Sequence, residues 1–210
     1  MQTQIAKPRL DRDARRELIL DVAQEVFLEE GFAAASMSTI AARLGGSKGT
    51  LYNYFRSKDE LFAAYVERRC LWQQDEIFAI QAGEAPEKAL LRIGRSFLTH
   101  ILGDVTLRNF AVIAAESERA PEIGRIFYET GPRQGTQRLA GFIAGLEAAG
   151  VLDLDGDPLG AAQHFLGLLQ SPSLKARLCN AVPPLTPEQI DAEARRGVKT
   201  FLRAFGRRDA

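Results

Sequence analysis

Cysteine and long apolar runs are scarce in this chain, and net charge is absent. Its two cysteines, Cys70 and Cys179, stand alone without CxxC or ligand-like spacing. That excludes a disulfide framework and suits buried thiols in a reducing compartment. No stretch approaches the roughly 18 apolar residues of a membrane span, and MQTQIAKPRLDRDARR at the N-terminus lacks the apolar segment of a signal peptide. A soluble cytoplasmic protein with no membrane partner is expected. The 27 basic and 27 acidic residues cancel, so this is no polycationic coat, and any affinity for nucleic acid must come from a local patch. His100 and His164 are isolated, without partners at i+3 or i+4, so neither a metal site nor a cofactor is expected. Strand-like alternation, repeats and low-complexity tracts are likewise missing.

The most telling absence is local. From Gly31 to Lys58 there is no Asp or Glu, while Arg43, Lys48, Arg56 and Lys58 are all present. Charge segregated in this way suits a surface pressed against phosphate. The same segment has the pattern of a helix-turn-helix. A first helix starts near Asp11 to Asp13, with apolar pairs Leu18/Ile19, Val22/Ala23 and Val26/Phe27, and ends at Gly31. A second runs from about Met37 to Leu44, capped by Ser36 or Ser38 and stopped by Gly45-Gly46. A third follows Ser47 and ends near Tyr54 or Phe55. Leu51 and Phe55 face inward on it, which turns Lys48, Thr50, Tyr52, Asn53 and Tyr54 outward.

Beyond it, Ser57 followed by Glu60 is a capping-box pattern that opens a long helix toward Ile80. A break spans Gly83 to Pro86. Helices are then expected over 87–102, 105–118, 121–149 (broken at Gly131-Pro132), 158–170 and 187–206. The 46% apolar content is ample for a core. The fold class is therefore all-α: a tri-helical DNA-binding head over residues 1–60, including a flexible arm, and a larger helical domain over 61–210.

A major groove admits an α-helix whose N-terminal residues meet base edges. Ser47 and Lys48 stand at that end of the third helix, and Gly49 lets the backbone approach. Thr50 and Asn53 can hydrogen-bond, and Tyr52 and Tyr54 offer ring edges and hydroxyls. Ser36 and Lys58 stand at neighbouring helix starts, where phosphates are held. A competing motif, G-x-S-x-G at Gly45-Gly46-Ser47-Lys48-Gly49, is that of a hydrolase nucleophile elbow. An elbow needs a strand before it, and here an amphipathic helix precedes it, so no enzyme is expected.

The stretch Ile40-Ala41 through Gly45-Gly46-Ser47-Lys48-Gly49-Thr50-Leu51-Tyr52-Asn53-Tyr54-Phe55 to Ser57-Lys58-Asp59-Glu60-Leu61-Phe62 resembles the head of the tetracycline-repressor (TetR) family of transcriptional regulators. The likeness covers about residues 15–62. It implies that Ser36 and Lys58 touch phosphate and that Gly49, Thr50, Tyr52, Asn53 and Tyr54 face the groove or its walls. Ala35 replaces a frequent threonine, and Gly46 a frequent bulky aliphatic. Residues 109–132, NFAVIAAESERAPEIGRIFYETGP, look like the AefR-like C-terminal subgroup. That likeness implies a helical pocket domain and a homodimer, hence a ligand-responsive regulator of a double-stranded operator, a repressor released by an unnamed small molecule.

The residues beyond Pro86 show where such functions would lie. Phe97, His100, Ile101, Phe110, Ile113 and Phe127 suit an apolar cavity or equally a packed core, and Glu116 suits a pocket carboxylate or a solvated helix end. Phe165, Leu169, Val198, Phe201 and Leu202 form broad apolar stripes near the chain end, which suit burial against the chain's own core or, as the resemblance implies, a four-helix dimer interface.

Overall fold

A computed structural model describes residues 11–71, 84–170 and 173–207, with the side chains of residues 69–71 outside that description. Among the described residues the chain is helical throughout: α1 (Arg12–Ala34), α2 (Met37–Arg43), α3 (Lys48–Tyr52), α4 (Lys58–Leu71), α5 (Pro86–Ile101), α6 (Asp104–Ser117), α7 (Pro121–Thr130), α8 (Pro132–Ala148), α9 (Pro158–Gln170), α10 (Ser173–Leu178) and α11 (Pro187–Phe205). The nearest thing to a strand among them is one isolated antiparallel bridge between Leu152 and Gly206. The continuation of α4 toward Ile80, expected from the sequence, lies outside the described residues.

Local chemistry sets the helix starts. Asp11, Ser36, Ser47 and Thr186 each accept from a backbone N–H of the first turn, closing α1, α2, α3 and α11. At α4 the Ser57 hydroxyl accepts from Glu60 N at 3.0 Å. The Glu60 carboxylate, however, accepts from Arg56 N at 2.7 Å, one residue earlier than a capping box requires. Gly131-Pro132 separates α7 from α8 as its chemistry demands. At Gly31 (φ 75, ψ 159) the backbone leaves helical geometry, and one further turn runs to Ala34. α10 was not foreseen: six residues shortly after Pro172 are too few to show a periodicity.

Two apolar clusters organise the chain. The first joins α1 to α4 around Phe27, Phe32, Phe62 and Tyr65, and takes in Ile113 of α6 and Ile123 of α7. Its rings pack at centroid distances of 5.2 to 6.4 Å. Each fully buried side chain of this size contributes roughly 1.5–3 kcal/mol. The second cluster joins α5, α8, α9 and α11. There a Cβ on Gly197 would lie 2.8 Å from Leu169 Cδ2, so a larger residue would push the Leu169 side chain aside.

The second cluster takes up the side chains expected at a dimer interface. Phe165 and Phe201 are 0% exposed and meet edge to face at 5.0 Å. Leu169 and Val198 are buried in the same cluster, and Leu202 packs against it half-buried. Phe165, Leu169, Val198 and Phe201 are consumed by the chain's own core, and of the five Leu202 alone keeps surface that a second copy could reach. An apolar face in a sequence does not say which body covers it.

Candidate nucleic-acid interface and effector cavity

The head presents α3 as expected. Leu51 and Phe55 are buried, while Lys48, Gly49, Tyr52 and Asn53 are exposed, with Thr50 and Tyr54 half-buried. Tyr54 leans on the head core, leaving Tyr52 as the fully outward ring. The Ser47 hydroxyl accepts from Thr50 N at 3.2 Å and lies 3.0 Å from Thr50 Oγ1. Ser36 repeats the arrangement with Thr39, at 3.1 and 2.9 Å. Both cap serines are thus fixed by their own helices, in rotamers that keep the oxygen at the helix mouth. This is a helix connector, and Ser47 is no strained nucleophile.

The acid-free patch is smaller than its sequence suggests. Arg43 reaches back to α1, 2.5 Å from Glu29 and 3.4 Å from Glu30. The hydrogen bond to Glu29 raises its already high pKa, so the guanidinium stays charged, and the two carboxylates offset the charge it could offer a phosphate. Lys58 turns inward: Nζ donates to the carbonyls of Phe32 (2.6 Å), Ala35 (2.9 Å) and Ala33 (3.4 Å) and lies 4.2 Å from the Phe32 ring centroid. An ammonium has three donors, and all three are directed at the turn between α1 and α2. A phosphate would have to displace one of them, so in this structure the expected phosphate clamp is a clamp on the chain's own backbone. Lys48 and Arg56 are exposed, and neither side chain forms a salt bridge among the described residues.

Behind the head lies a cavity of about 570 Å³, between the end of α5, the inner face of α6, and α7 to α9. Phe97, His100, Ile101, Phe110, Ile113 and Phe127 all line it. Glu116 does not. On α6 the lining residues Thr106, Asn109, Phe110, Ile113, Ala114 and Ser117 share one face at helical spacing, and Glu116, at the edge of that face, turns to the head instead. Its carboxylate accepts from Ala33 N at 3.0 Å and sits 3.3 Å from where a Cβ on Gly31 would be. Gly31 therefore answers two demands, a positive φ and the close approach of Glu116.

The turn 31–35 is thus held from two sides, its carbonyls by Lys58 of α4 and its Ala33 N–H by Glu116 of α6. Tyr65 and Val66 of α4 also reach the cavity wall. Sequence reasoning missed Tyr65, Thr106, Asn109 and Gln170 as lining residues. The spacing of Thr106 and Asn109 to Phe110 and Ile113 was a readable signal, whereas the placement of Gln170 depends on tertiary packing.

Comparison with known proteins decides the family. Residues 88–207 match the AefR-like transcriptional repressor C-terminal domain, and residues 19–65 match the tetR family of bacterial regulatory proteins. The chain belongs to the TetR family of transcriptional regulators. The flavonoid-responsive regulator FrrA is 36% identical and superposes with a TM-score of 0.79, over 93% of this chain and 98% of that one. A TetR-family regulator from Mesorhizobium loti is 26% identical with a TM-score of 0.78, over 94% and 100%. The regulator BetI of Rhizobium meliloti is 29% identical over 91% of each chain. The activator FasR of Mycolicibacterium smegmatis is 50% identical across 60 residues, but these are only 29% of this TetR-family chain and 27% of FasR. No helix among the described residues is long and apolar enough to cross a membrane.

Proposed function

We propose that this TetR-family chain is a ligand-responsive repressor that pairs as a homodimer on a double-stranded operator and lets go when a small molecule fills the cavity. The observation that carries the reading is α6: one face lines the cavity and its last turn holds the head through Glu116 and Ala33. A ligand that displaces α6 changes the support of the turn leading directly into Ser36, the cap of α2. Its leverage equals its difference in affinity for the two head positions, typically about 1–3 kcal/mol. Ser36, Ser47, Lys48, Gly49, Thr50, Tyr52, Asn53 and Tyr54 form the DNA face, with Lys48 reaching phosphate and Tyr52 and Asn53 reaching base edges.

Pairing is supported by α9, whose sequence PLGAAQHFLGLLQ carries no charge. Its outward positions Leu159, Gln163, His164 and Gly167 are exposed in the single chain. An uncharged exposed helix face of this kind is one that a second copy would cover. The flavonoid-responsive relative supports a small aromatic effector. Selection of bound duplexes from random DNA tests the reading. A two-fold symmetric site with half-sites roughly 34–36 Å apart is expected, bound by a protein that sediments as a dimer. No enriched sequence, or a monomer on DNA, contradicts it.

A further inference from the structure

The basic side chains of the head divide by what holds them. Arg43 is held by Glu29 and Glu30, Lys58 by backbone carbonyls, and Arg68 by Glu17 and Asp21. On α1, Arg16 lies 3.6 Å from Glu17 and 5.4 Å from the centroid of the Phe55 ring. Its neighbour Arg15 differs. It is half-buried, yet its guanidinium forms no salt bridge among the described residues. The side chain crosses instead to the turn between α2 and α3. There a Cβ on Gly46 would lie 3.3 Å from Arg15 Nη2, and Arg15 shares a crevice with Ser47 and Thr50 of the proposed DNA face. Gly45 takes a positive φ and Gly46 does not, so the missing side chain at 46 answers to space and not to backbone. A larger residue there would push the guanidinium aside. A guanidinium is a planar fork of donors that matches a phosphate. This one stands where α3 begins, beside the backbone that walls the groove.

We infer that Arg15 of α1 is a further phosphate contact, seated at the edge of the DNA face by the bare backbone of Gly46. The inference rests on α3 meeting DNA. Its test uses the full chain and a mixed-sequence duplex of about 30 base pairs, because a phosphate contact is independent of sequence. Anisotropy titrations between about 50 and 200 mM salt give the slope of log affinity against log salt. Arg15→Gln is expected to flatten that slope by about one unit and to leave thermal melting unchanged, while Arg15→Lys, which keeps the charge, should retain it. Gly46→Val should weaken binding at the lowest salt, and adding Arg15→Gln to it should cost little more. Lys48→Ala serves as the control. If it flattens the slope and Arg15→Gln does not, the inference is overturned alone. If neither changes the slope, the reading of α3 as the DNA face falls and takes the inference with it. A lowered melting temperature with an unchanged slope would make Arg15 a structural side chain, and fully additive losses for Gly46→Val and Arg15→Gln would show that Gly46 does not seat it.

Discussion

The head and the domain behind it are made of the same element, yet they treat space in opposite ways. In the head, the helices close around four interlocked rings, and a crevice beside the helix-turn-helix holds only about 10 Å³. Behind it, α5 to α9 enclose about 570 Å³. A filled core fixes one geometry, whereas an unfilled one leaves packing energy to be gained by a guest. Rigidity therefore sits where DNA is met and adaptability where a ligand would enter. The turn 31–35 lies on the border, held by Lys58 from the first region and Glu116 from the second.

The largest effect that would break this comparison is in packing. Phe27→Ala should cost about 3–5 kcal/mol, whereas Phe127→Ala, beside existing space, should cost less than about half as much. Chemical denaturation of both variants measures this, and equal losses would mean the regions are packed alike. Next comes the contrast between two lysines. Lys58→Met leaves carbonyls of the α1–α2 turn unpaired and should lower stability by about 1.5–3 kcal/mol without changing the salt dependence of operator binding. Lys48→Ala should do the reverse, leaving melting alone and flattening the salt slope by about one unit. A changed slope for Lys58→Met would return that residue to the DNA.

Tyr52→Ala and Asn53→Ala should each weaken operator binding by about 1–3 kcal/mol with unchanged melting, read by fluorescence anisotropy and circular dichroism. Unchanged affinity would leave α3 without a reading role. The smallest effect lies far from both sites, where Asp191 of α11 holds Arg195 and Arg95 of α5. The hydrogen bond from Arg195, and then that from Arg95, keeps its carboxyl below the usual range. The contribution is thus full above the unfolded carboxylate pKa and fades as pH falls through the lowered one. Asp191→Asn should give a slight drop in melting temperature at neutral pH that vanishes in strong acid.

Much of the head was legible because its rules are local. Cap serines, the glycine turn and the inward Leu51 and Phe55 follow from spacing within a few residues, and the structure repeats them. What was not legible depended on a partner distant in sequence. Lys58 and Lys48 look equivalent along the chain, but only Lys58 folds back on carbonyls more than twenty residues earlier. Glu116 reads as a pocket acid until α6 is laid against Gly31, 85 positions away in the printed sequence. Phe165 and Phe201 announce an apolar stripe, and only the packing of α5 and α8 shows that their own chain covers it. Periodicity reports which face is buried. It does not report against what.

The coupling of cavity to head can be tested without any effector. Ala114 lines the cavity from α6, so Ala114→Trp places an indole where a ligand would sit. On a selected operator, anisotropy titration should show affinity reduced at least about fivefold, with the head still folded, and Glu116→Ala in the same chain should abolish the difference. Operator affinity unchanged by the filled cavity would contradict the account.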